Sequence, residues 1–181
     1  MTPFDRALSH TLGIEGGFSD DAADSGGATR FGITEAVARE FGYRGEMSAL
    51  PLEFAQQVYR AKYWDLLHLD LIAALSERVA TELFDTAVNT GVSFAGKSLQ
   101  RALNVLNREQ ADYADIEVDG LIGPATIRAL RSFLMKRGNE GIVVLFAMLN
   151  SLQGAFYIDL AERRSKDEKF VYGWFKQRVV V

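Results

Sequence analysis

Apolar residues recur at three- and four-residue intervals over most of this chain, which predicts a protein built largely from helices. Thr2 and Pro3 open the first helix, Phe4, Ala7, Leu8 and Leu12 mark its inner stripe, and Gly16-Gly17 stops it, leaving Glu15 as its closing residue. The next stretch, FSDDAADSGGATRFGIT, loses the helical period. It is rich in Asp and Gly and has a short β-prone segment at each end, which predicts a small hairpin or irregular β-lobe. Helical spacing then returns. Thr34 is expected to cap TEAVAREFG, Ser48 a helix running through Tyr63-Trp64, and Ser76 a helix from Glu77 to about Thr90. Further helices are expected at 95–107, 125–136, 140–163 and 167–178, with Pro124 and Asn139 as openers.

Composition narrows the class. With 181 residues, 48% of them hydrophobic, and only three prolines, the chain reads as one domain or two small lobes rather than a disordered or fibrous protein. It has no cysteine, which excludes disulfides and thiolate metal sites. The longest apolar run, Ile142 to Leu149, falls short of the roughly 20 residues that span a bilayer and is expected to be a buried helix. The start, MTPFDRALSHTLGIEGG, lacks a basic segment followed by an apolar run, so synthesis in the cytoplasm without a signal peptide is expected. A net charge of −4 argues against general nucleic-acid binding. The charge is uneven, because six Lys/Arg face three Asp/Glu between Ala161 and Val181. That basic end is either a solvated helix face or a weak contact for an anionic envelope.

Two carboxylates stand out as candidate chemistry. Hydrolysis of a glycosidic bond needs one carboxylic acid kept protonated for the leaving oxygen and usually a second carboxylate to handle water or the sugar cation. A carboxylate at a helix C-terminus faces partial negative charge, so the pKa of Glu15 should rise, more so if Ile14 and Phe18 shield it. Gly16 and Gly17 leave no side chain between that acid and a bound polymer. Asp24, in a polar Gly-rich loop, should stay ionised, and unlike surroundings of this kind divide acid from base. Asp20 and Asp21 are rivals for the second role, and a lone Glu-Gly-Gly, taken by itself, reads first as a surface residue before a helix stop, with Asp24 a turn residue.

The longer pattern is more specific. Glu15-Gly16-Gly17, then Asp24, Gly26-Gly27, Thr29 and Gly32-Ile33-Thr34, resembles the signature of glycoside hydrolase family 108. The resemblance continues through VYRAKYW, with Tyr59, Tyr63 and Trp64, and through FDTAVNTG. AGKSLQRALN, VDGLIGPATIRAL and GWFKQRV are similar to the predicted peptidoglycan-binding domain that accompanies that family. The resemblance implies a mainly α, lysozyme-like two-lobed fold with a small β-hairpin lobe, its catalytic region at 1–92 and a peptidoglycan-binding-like helical region at 93–181 packed as one unit.

By likeness to phage-type lysozymes, Glu15 would donate the proton while Asp24 and Thr29 hold and activate water, which implies inversion at the anomeric carbon. Inverting enzymes keep roughly 6.5 to 9.5 Å between their carboxyl groups, and retaining ones about 5 to 5.5 Å. Ser25 stands where the family often has proline. Tyr63 and Trp64 are candidates for stacking on sugar faces, and Asn89 for an acetamido group, with core packing the competing reading of each.

Three further motifs are weighed and set aside. GVSFAGKS, Gly91 to Ser98, spells a phosphate-binding loop, but the pattern requires a preceding strand, and Val79, Leu83, Phe84, Ala87 and Val88 sit at helical spacing instead. DIEVDGLIGPAT mimics a calcium loop with Thr126 where the bidentate Glu belongs. His10 and His68 lack ligand partners at useful spacing.

The expectation is therefore a peptidoglycan hydrolase, lysozyme-like, cutting the β-1,4 bond between N-acetylmuramic acid and N-acetylglucosamine. It would need no metal, organic cofactor, nucleotide or nucleic acid, and would act as a monomer. It would be a phage-type lysis enzyme, meeting the wall in the periplasm after holin-type release or export. The alternatives are a lytic transglycosylase and a non-catalytic wall-binding protein.

Overall fold

A computed structural model describes residues 1–15 and 29–179, with backbone only for Ile14 and Glu15. The chain forms two compact units, Met1–Trp64 and Asp65–Val181. It is mainly helical, and the described residues include a two-stranded antiparallel sheet.

The first unit opens with helix α1, Pro3–Glu15; Phe4, Ala7 and Leu8 of the expected stripe are buried, whereas Leu12 is half-buried and Thr11 lies inside beside it. Strands β1, Thr29–Arg30, and β2, Ile33–Thr34, pair with Thr29 opposite Thr34 and Arg30 opposite Ile33. The two-residue turn between them carries positive φ at both Phe31 (53°) and Gly32 (71°), as tight hairpins demand. Thr34 then caps α2, Glu35–Glu40, accepting from the Val37 amide as expected.

Ser48 does not cap the next helix. It lies in a short 3-10 turn, Met47–Ala49, and helix α3, Leu52–Tyr59, starts only after Pro51. The cause is Pro51, whose ring disfavours helical geometry at the residue before it; Leu50 is accordingly extended, with ψ 122°. Nor does α3 run regularly to Trp64. Arg60–Trp64 is a π-helical turn, the kind of local widening that is frequent at functional sites.

In the second unit, α4, Leu69–Ala73, is a short helix that the hydrophobic pattern did not announce. Ser76 caps α5, Glu77–Thr90, through the Val79 amide. Gly91, with φ 96°, turns the chain directly into α6, Val92–Leu106, three residues earlier than expected. The helices expected at 125–136 and 140–163 form one run, α7, Pro124–Arg163, broken at Gly138, whose φ of 57° and ψ of −145° are not helical. The second arm of α7 buries Gly141, Leu145, Leu149, Tyr157 and Ala161 along one stripe, so the apolar run Ile142–Leu149, expected to be buried, is packed on one face and leaves Val143 and Val144 exposed. A 3-10 turn, Ser165–Asp167, leads into α8, Glu168–Arg178. Helix α5 packs against α4, α6 and α7, and α8 packs on α7. The boundary expected at 92/93 falls just inside the start of α6, which packs against α5, while compactness divides the chain at 64/65.

Candidate functional site

The first unit places the proposed acid by fixing α1. The Phe4 ring meets the edge of Trp64 at 5.4 Å between centroids, and the Arg60 guanidinium lies over the same ring at 5.3 Å. These contacts anchor the first turn of α1, which ends at Glu15 with no basic residue in its last turn. The side chain of Glu15 lies outside the described residues, as do Gly16, Gly17, Asp20, Asp21, Asp24 and Ser25. The separation between the carboxyl groups of Glu15 and Asp24 lies outside them as well.

Thr29 is described, half-buried, at the start of the hairpin. What steadies this hairpin is Tyr59, which the sequence reading quoted only as part of a motif. Its hydroxyl donates to the Phe31 carbonyl at 3.0 Å across 28 residues. Phe31 is a non-glycine residue in left-handed backbone, a conformation that persists only where its surroundings enforce it. The Tyr59 bond and the Arg30 guanidinium, 5.1 Å above the Phe31 ring, supply that enforcement two residues from Thr29.

The two candidate aromatics divide. Tyr63 is half-buried and stands 5.8 Å from Tyr59, ring to ring, within the π-helical turn. Trp64 is corrected to a core residue, because it is 0% exposed and packed on Phe4, leaving no ring face for a sugar.

Asn89 belongs to the second unit, where its amide donates to the Asp85 carbonyl one turn earlier at 2.7 Å. Below it α5 carries a buried charged cluster that the sequence reading did not single out. Asp85 and Arg178, both at least nine-tenths buried, pair at 2.6 Å between Oδ1 and Nη1, joining α5 to the end of α8. Gln153 Nε2 donates to Asp85 Oδ2 and to the Tyr157 hydroxyl, each at 3.1 Å. Glu82, one turn before Asp85, has its pKa pushed up to about 8 by burial and then by the charge of Asp85. The signal was present, since two carboxylates three residues apart interrupt the apolar stripe of Val79, Leu83 and Ala87. Arg178 also turns one of the basic tail's six cations inward.

The apparent phosphate loop is helix. Gly91 to Ser98 runs from the α5–α6 turn into α6, and Ser98 is buried. Gly96 is there for close approach: a Cβ on it would stand 2.2 Å from the Gly120 carbonyl oxygen. Gly96→Ala is therefore expected to cost about 3 kcal/mol as the loop is forced off α6. Urea unfolding checks this, and an unchanged midpoint would contradict the packing.

The apparent calcium loop is organised by α6. Gln100 Nε2 donates to Asp119 Oδ1 at 2.7 Å and its Oε1 accepts from Gly120 N at 2.8 Å. Asn104 exchanges two hydrogen bonds with the Ile116 backbone, and Asn107 donates to Asp115 Oδ1 at 2.6 Å. The Asp115 and Asp119 carboxylates thus serve the fold, and the Gln100 bond, followed by the Leu121 amide, lowers the pKa of Asp119. Among the described residues no three His, Asp or Glu side chains stand close enough to hold a metal ion.

Comparison with known proteins bears on both halves. Residues 8–91 match the family model of glycosyl hydrolase 108, and residues 94–179 match that of the predicted peptidoglycan domain. A solved structure of SagA from Brucella abortus superposes with a TM-score of 0.69 at 28% sequence identity, covering 97% of this chain and 88% of that one. A comparison with curated proteins found no match. The chain therefore pairs a region matching glycosyl hydrolase 108 with one matching the predicted peptidoglycan domain, and the two together support a glycoside hydrolase acting on peptidoglycan.

Proposed function

We propose that the protein is an N-acetylmuramidase that hydrolyses the β-1,4 bond between N-acetylmuramic acid and N-acetylglucosamine. One observation carries the reading: Glu15 closes α1, inside the glycosyl hydrolase 108 match that also spans Asp24 and Thr29. The carbonyls ending α1 oppose ionisation of a carboxyl at that position, and the last turn offers no cation to reverse the effect.

In the proposed reaction Glu15 gives its proton to the bridging oxygen as that oxygen leaves the anomeric carbon. Water, held by Asp24 and the Thr29 hydroxyl, attacks the same carbon from the opposite face and loses its proton to Asp24. A hydroxyl is left on N-acetylglucosamine, and a reducing end of inverted configuration on N-acetylmuramic acid. Tyr59 is a positioning residue, holding the hairpin that carries Thr29. Tyr63 is the aromatic proposed for sugar contact, with Gly16 and Gly17 leaving the approach to the acid open. The proposal extends to a lysis role for a monomer that meets the wall in the periplasm after holin-type release or export.

Digestion of purified peptidoglycan by the full chain, followed by mass spectrometry of the new ends, tests the chemistry. Reducing N-acetylmuramic ends are expected. Anhydro ends would replace this reading with a lytic transglycosylase, and absence of product with a wall-binding protein.

A further inference from the structure

A cavity of about 420 Å³ in the second unit lies where the α4 entry meets the start of α7. That volume falls within the usual size of small-ligand sites. The buried Ile122, with Ile127 and the exposed Leu71, supplies the apolar lining, and His68, Arg128 and Arg131 supply the polar lining; no carboxylate lines it.

Three features of the lining are costly to the fold. Arg128 and Arg131, three residues apart on one face of α7, place two exposed cations side by side, where like charges repel. The first turn of α7 has no acidic residue to offset them. Neither guanidinium has a carboxylate partner among the described residues, although acidic residues outnumber basic ones in the chain, 24 to 20. His68, exposed at the mouth, is held in left-handed backbone with φ 47°. Local rules broken together around one cavity mark a place shaped for something other than stability. The missing component is anionic, and the apolar lining asks for small apolar groups beside it.

We infer that this pocket takes the peptide stem of peptidoglycan, a short peptide that combines free carboxylates with alanine methyl groups. The inference rests on the peptidoglycan reading above and deepens it, giving the second half of the chain a defined part of the polymer to grip. Arg128 and Arg131 engage carboxylates by paired N–H donors, while Leu71, Ile122 and Ile127 receive the methyl groups.

The test titrates the free pentapeptide stem, L-Ala-γ-D-Glu-diaminopimelate-D-Ala-D-Ala, into the isotope-labelled full chain and follows amide shifts by NMR. Saturable shifts are expected at His68, Ile122 and Ile127, and Arg128→Gln/Arg131→Gln should weaken binding about tenfold or more. The double variant's dispersed spectrum elsewhere shows that it is folded. A stem whose carboxylates are amidated should bind as poorly to the native chain as the free stem binds to the variant.

No saturable shift, equal affinity in the variant, or retention of phosphatidylglycerol vesicles in place of the stem would overturn the inference. The two readings fail separately. A chain that grips the stem through these arginines yet releases no new glycan ends refutes the muramidase and leaves the pocket standing. A chain that cuts glycan and ignores the stem refutes the pocket alone.

Discussion

Glu15→Gln is expected to reduce release of reducing ends from peptidoglycan by about three orders of magnitude while leaving folding and wall binding unchanged. The substitution keeps the shape and both ends of the hydrogen-bonding group but removes the transferable proton. Departure of the bridging oxygen as an alkoxide then has to proceed without protonation, which is the step the acid exists to assist. The fold should tolerate the change because what fixes α1 lies elsewhere, in Phe4, Ala7, Leu8 and the Trp64–Arg60 clasp. A Gln also lacks the charge that the helix C-terminus disfavours, so stability should hold or rise slightly. Initial rates on purified peptidoglycan, with circular dichroism and a pull-down on insoluble wall, give the three readouts. A folded Glu15→Gln protein that lyses at the native rate removes Glu15 from the reaction.

Much of this architecture was legible because periodicity reports burial directly. α1 and α5 bury most of the stripe their spacing announces, and Thr34 and Ser76 cap as expected. The misreadings share a physical cause, namely local geometry that overrides a favourable residue type. Ser48 is a good capping residue made irrelevant by Pro51, and the aromatic pair Tyr63-Trp64 is turned by a π-helical widening that places one ring half-open and the other wholly inside. The roles of Gln100, Asn104 and Asn107 were hidden because side chain to backbone bonds leave little trace in hydropathy, although their four- and three-residue spacing on α6 was visible. Of the candidate site, the sequence supplied Glu15 and Thr29 as ends of elements. Tyr59 entered only with the fold, since its partner is 28 residues away.

The glycosyl hydrolase 108 match ends at residue 91, yet α5, its last helix, is covered by α6 and α7 of the following region. A family boundary marks where a sequence pattern stops, whereas a folding boundary marks where apolar surface is closed off. The second half therefore completes the core that holds α5, whatever else it binds.

Arg178→Met should destabilise the second unit by about 3–5 kcal/mol, a drop of roughly 10 °C in melting temperature for a chain of this size. The pair it breaks is nearly solvent-free, with Asp85 at 5% and Arg178 at 8% exposure, so removing the cation strands a buried carboxylate. Gln153 alone cannot neutralise that charge, and Glu82 one turn away, its pKa pushed up to about 8 by burial and by Asp85 itself, offers no cation in place of Arg178. Replacing both partners, as Asp85→Leu/Arg178→Met, should recover more than half of the loss, because no buried charge is left unpaired.

The same cluster gives the native protein a pH signature. Glu82 titrates at about 8 when folded against 4.5 ordinarily, so the folded state binds this proton more tightly than the unfolded one. Its contribution is fully present below the ordinary value and is lost as pH rises through about 8. The unfolding equilibrium should shift toward unfolding by up to about tenfold per pH unit across that window, and Glu82→Gln should flatten the slope. Urea unfolding of the native chain, Arg178→Met, the double variant and Glu82→Gln at several pH values between 5 and 9 separates these effects. An Arg178→Met protein within about 1 kcal/mol of native, or a double variant no better than the single one, would show that Asp85 is not held by Arg178 at all.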